Sequence, residues 1–60
     1  MSNFNNGFIK TIKEKGCDDA AAQAELEGYR SLIKDELAAL ENDYQAGCDA
    51  ALEAHSYWDF

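Results

Sequence analysis

The stretch that decides the fold is Asp18–His55, DDAAAQAELEGYRSLIKDELAALENDYQAGCDAALEAH. It contains no proline and is dominated by Ala, Leu, Glu, Gln and Lys, all strong helix formers. A stripe of apolar and small residues runs through Ala22, Leu26, Tyr29, Ile33, Leu37, Leu40, Tyr44, Cys48, Ala51 and His55 in steps of three and four. Leu26, Leu37 and Cys48 are spaced by 11, as are Tyr29, Leu40 and Ala51, and Ile33, Tyr44 and His55. An 11-residue period corresponds to about 3.67 residues per turn, a nearly straight or slightly right-handed seam. The pattern predicts one long amphipathic helix over roughly 18–55, opened by Asp18 or Asp19 as its N-cap. Gly28 and Gly47 oppose it, since each costs about 1 kcal/mol against alanine inside a helix. Gly47-Cys48-Asp49 also repeats Gly16-Cys17-Asp18, so the alternative is a break at Gly47 with Asp49 capping a third short helix.

Upstream, Asn5 is a candidate cap, and Phe4 can staple onto Ile9. Phe8, Ile9 and Ile12 form an apolar stripe, and Gly16 supplies a left-handed C-terminal stop. The first helix is therefore expected over roughly 6–15. The resulting expectation is an all-α fold in a single small domain, 1–60. It comprises a short N-terminal helix, a long amphipathic helix and an aromatic tail over 56–60, forming a helical hairpin that self-associates.

Self-association follows from lengths. The long helix would extend about 57 Å and the first only about 15 Å, leaving the far part of the stripe without an intramolecular cover. Ile33, Leu37, Leu40, Tyr44, Cys48 and Ala51 are thus expected to form an oligomer interface, the ordinary fate of such a seam. On this geometry Cys17 and Cys48 stand about 46 Å apart along the axis, too far for a bridge, and both are expected as reduced thiols.

Composition excludes several functions. A chain of 60 residues buries too little surface for a large enzyme domain. Twelve acids against five bases give a net charge of −7, which repels phosphate backbones, so direct nucleic-acid binding is not expected. No stretch approaches the roughly 20 apolar residues of a membrane span, and the N-terminal segment lacks the apolar core of a secretory signal. A cytoplasmic protein is the corresponding expectation.

The charge is unevenly placed. Residues 1–34 contain five acids and all five bases, whereas Asp35, Glu36, Glu41, Asp43, Asp49, Glu53 and Asp59 lie in 35–60 with no base. Such a run is commonly a solvated face. Its functional reading is a surface that offers Asp35, Glu36, Glu41, Asp43, Asp49 and Glu53 to a positively charged partner, in the manner of nucleic-acid phosphates. The tail adds Tyr57, Trp58 and Phe60, residue types that serve as interface anchors.

Chemistry is sparse. Cys48 and His55 on one helix would be about 10 Å apart along the axis, beyond direct proton transfer. None of C-x-x-C, H-x-x-x-H and H-E-x-x-H occurs, and the four glycines are scattered, so neither a metal site nor a phosphate loop is indicated. No catalytic, metal or cofactor residue is assigned, and no enzyme activity is expected.

The segment Tyr44-Gln45-Ala46-Gly47-Cys48-Asp49-Ala50-Ala51-Leu52-Glu53-Ala54 resembles the Y-x-x-G-x-x-A-A-L-E-A helix ending of small bacteriophage accessory proteins. The resemblance covers about a fifth of the chain. It implies a short phage-encoded protein acting in the host cytoplasm by binding and blocking a host enzyme or defence complex, and it carries over no catalytic residue. The alternatives are an acidic nucleic-acid mimic seated in a basic groove and a purely structural oligomerisation helix.

Overall fold

In the computed structural model, which describes residues 2–56, the first helix starts earlier than its sequence suggests. Ser2, not Asn5, is the cap: its Oγ accepts from the Asn5 N–H at 3.2 Å, and α1 runs Asn3–Glu14. Phe4 consequently lies inside the helix and shares one face with Phe8 and Ile12, all three fully buried. The stop falls where expected. Lys15 N–H donates to Ile12 O and Gly16 N–H to Lys13 O, and Gly16 adopts φ 100°, a conformation that glycine takes without a Cβ penalty.

Asp18 then opens α2, Asp19–Leu32, by accepting from the Ala21 N–H at 2.8 Å. The single long helix does not form. The chain beyond α2 divides into α3, Lys34–Leu40, and α4, Tyr44–Ser56. The first break is one residue wide: Ile33 closes α2 through its N–H to Tyr29 O and opens α3 through its carbonyl, which accepts from Glu36 and Leu37. Arg30 lies in the last turn of α2 and Asp35 and Glu36 in the first turn of α3, charges that suit a helix end followed by a new start. The second break spans Glu41, Asn42 and Asp43, where the Asp43 carboxylate accepts from the Ala46 N–H at 3.0 Å and caps α4. Gly47, the position at which a break was the alternative, sits uninterrupted within α4.

With the stretch divided into three helices, the longest dimension is 29 Å, so the expected rod of about 57 Å does not form. α1 packs chiefly against α4, with α2 alongside both. Two glycines make the α1–α4 approach. A Cβ on Gly7 would strike the carbonyl oxygen of Tyr44, and one on Gly47 would strike the backbone of Phe4. The core joins Phe4, Phe8 and Ile12 of α1 to Ala22 and Leu26 of α2 and to Ala50, Ala51 and Ala54 of α4. Alanines on α4 let the two phenylalanines lie against that helix, and Tyr29 completes an aromatic cluster with centroids 5.6 Å from Phe8 and 6.4 Å from Phe4.

Candidate interaction surfaces

The residues expected to meet a second copy are instead largely used within one chain. Ile33, Leu37 and Leu40 are half-buried against the core, and Ala51 is fully buried. Cys48 is half-buried, its Sγ 3.6 Å from the Gly7 carbonyl oxygen, and of the six only Tyr44 is exposed. The three- and four-residue steps of the stripe continue across both breaks, although Ile33, at φ −106° and ψ 21°, leaves helical geometry; Glu41 at the second break is itself right-handed helical. Periodicity therefore reported which residues face the core, but not that the axis turns. Cys17 and Cys48 are both free thiols.

The acidic residues divide into two groups. Asp35, Glu36, Asp43, Asp49 and Glu53 are exposed. Asp35 and Glu36 make no ion pair among the described residues, while Asp49 accepts from Gln45 Nε2 and Glu53 from the Tyr29 hydroxyl. Glu41 belongs to a different structure. Its Oε1 accepts from Arg30 Nη1 at 3.0 Å, and Arg30 also donates to the Asn5 side-chain oxygen. The Glu41 carbonyl accepts from the Phe4 N–H at 3.0 Å and the Ser2 hydroxyl at 2.9 Å, and Asn3 Nδ2 reaches Asn42 O. The Arg30 hydrogen bond, and after it the Ser2 hydroxyl, hold the Glu41 carboxyl below its ordinary range. This clamp ties the start of α1 to the α3–α4 turn, so Glu41 serves the fold rather than an open acidic face. Tyr57, Trp58 and Phe60 lie outside the described residues.

One concavity was not anticipated. Glu25, Gly28, Tyr29 and Leu32 of α2, with Ile33, face Glu53 and Ala54 of α4 across a groove of about 450 Å³. Leu32 is 80% exposed and lies off the apolar stripe, between its members Tyr29 and Ile33. The signal in the sequence is Gly28 itself, a glycine inside a helix-forming stretch; a Cβ placed there meets nothing within 4 Å.

Among the described residues, no group of three or more His, Cys, Asp or Glu side chains is placed to hold a metal ion, and no helix is long and apolar enough to cross a membrane. No family model, curated protein or solved structure matches the chain.

Proposed function

We propose that this chain is a non-enzymatic, acidic protein-interaction module that acts in the cytoplasm as an inhibitor, of the kind small bacteriophage accessory proteins provide, by occupying a functional surface of a host protein or defence complex. The observation that carries the reading is the exposure of Asp35, Glu36, Asp43, Asp49 and Glu53 in a half of the chain that has no base. Carboxylates so placed attract a positively charged surface at long range and speed encounter with it. The half-burial of Ile33, Leu37 and Leu40 within one chain weakens the purely structural reading, because the seam that called for a second copy already has an internal cover.

The same five carboxylates favour one second reading, an acidic mimic of nucleic acid that sits in a basic groove. The two differ in what they displace. Tagged protein should retain a partner from bacterial lysate, identified by mass spectrometry. The purified partner should then lose activity on addition of the protein and regain it with the D35K/D49K/E53K variant. Displacement of nucleic acid from the partner would favour the mimic; inhibition without such displacement favours the protein-surface blocker. Failure to retain any salt-sensitive partner would sink both.

A further inference from the structure

The groove between α2 and α4 contains two features that the fold does not require. Gly28 stands in the interior of α2, where alanine would be better by about 1 kcal/mol, yet a Cβ there would meet nothing within 4 Å among the described residues. Neither steric closeness nor a left-handed φ accounts for it, in contrast to Gly47 and Gly16. Leu32, one turn on, presents an apolar side chain to solvent at 80% exposure. Local choices that weaken a fold without structural return concentrate at functional surfaces.

The surroundings specify what would fit. The lining is largely apolar, with Tyr29, Leu32, Ile33 and Ala54, and the volume of about 450 Å³ lies within the range of small binding pockets and accepts a bulky side chain. Glu25 and Glu53 line it from opposite helices, and the Tyr29 hydroxyl donates to Glu53 Oε2 at 3.5 Å. Resting on the interaction reading above, we propose that this groove receives a bulky apolar side chain from a basic segment of the partner protein, with Lys or Arg on either side of that anchor pairing with Glu25 and Glu53. A second copy docking face to face would set the same two carboxylates against their equivalents. Residues 57–60 bring an acid and no base. Charge complementarity therefore selects a basic partner.

The test is an NMR titration of the ¹⁵N-labelled full-length protein with the capped peptide KKKWKKK, alongside KKKSKKK, which lacks the anchor. The Trp peptide should shift the amides of Gly28, Leu32, Ile33 and Ala54 saturably, and the Ser peptide should not. Gly28→Leu fills the groove from a position where an added Cβ meets nothing within 4 Å and should weaken binding about tenfold or more, the loss of an anchor contact. The paired reversal E25K/E53K should do the same, and the amide spectra of both variants establish that they fold. Shifts unaltered by Gly28→Leu, or equal for the two peptides, would overturn the proposal. So would groove amides that move with protein concentration alone, the mark of a second copy, or peptide binding only after deletion of 57–60. Shifts spread over Asp35, Glu36, Asp43 and Asp49 would overturn the groove while leaving the acidic-interaction reading intact. That reading stands or falls separately, on retention of a salt-sensitive partner.

Discussion

Gly47 and Gly28 lie in the interiors of helices facing the same core, yet the two positions have opposite physical meanings. At Gly47 the missing side chain lets α4 rest on the backbone of Phe4, with Gly7 of α1 meeting Tyr44 and Cys48 in return. At Gly28 the missing side chain leaves space beside Leu32 and Glu53. One glycine closes a helix–helix contact, and the other borders open space. Helix propensity penalises both equally, so the difference lies entirely in packing.

The sharpest way to break this contrast is to add a methyl group at the closed site. Gly47→Ala forces α1 and α4 apart, because the atoms in its path belong to the Phe4 backbone and cannot rotate away. Overpacking of this kind costs about 1–3 kcal/mol, much of the roughly 3–5 kcal/mol available to a core this small. Gly7→Ala should act similarly, and the double variant should lose less than the sum, since either methyl already separates the helices. Urea unfolding followed by circular dichroism reads all three. A Gly47→Ala midpoint equal to the parent's would mean that the helices do not cross at these glycines.

The sequence made much of the fold legible through side-chain chemistry. The Gly16 stop, the Asp18 cap and the inward direction of Phe8, Ile12, Leu26 and Ala51 all follow from local chemistry or from spacing. The two breaks are not legible from spacing, because the three- and four-residue steps of the apolar stripe continue straight across them. Their signals were polar instead: Arg30 before Asp35-Glu36, and Asn42-Asp43 ahead of Ala46. Of the proposed interaction residues, Asp35, Glu36, Asp43, Asp49 and Glu53 are exposed. Glu41 is set apart because its role depends on Arg30, eleven residues away across both a helix break and a helix. The groove depends on how α2 and α4 meet, which no single helical wheel contains.

The breaks also change the expected assembly. With Ile33, Leu37 and Leu40 already packed against the core, sedimentation at micromolar concentration should give a concentration-independent monomer. A dimer that dissociates on Leu37→Asp or Leu40→Asp would restore the seam as an intermolecular surface.

At the open site, the effect should be smaller than at Gly47 and opposite in sign. Gly28→Ala removes the glycine penalty without a collision, so it should raise stability by up to about 1 kcal/mol and move the urea midpoint upward. Together with Gly47→Ala it separates packing from propensity, because a helix-propensity effect alone would raise both midpoints. A lowered midpoint for Gly28→Ala would show that the groove is closed in solution.

The smallest effect concerns the clamp that holds α1 to the α3–α4 turn. Arg30 and Ser2 lower the pKa of the folded Glu41 carboxyl from its ordinary 4.5, so over that range the unfolded chain binds the proton more readily than the folded one. Stability from this group is consequently complete above about pH 4.5 and is lost as pH falls through the lower, folded value. Glu41→Gln removes the titration and should flatten the dependence of the urea midpoint on pH below that value, while leaving the aromatic core of α1 in place. The Arg30–Glu41 pair is partly open to solvent, so added salt should shrink the difference between the two proteins. In an Arg30→Met background most of the pH dependence due to Glu41 should vanish, because the first cause of the shift has gone. An acid limb identical in parent and Glu41→Gln would mean that the clamp holds through its backbone bonds, Phe4 N–H and Ser2 hydroxyl to Glu41 O, and that the side-chain bridge contributes no stability of its own.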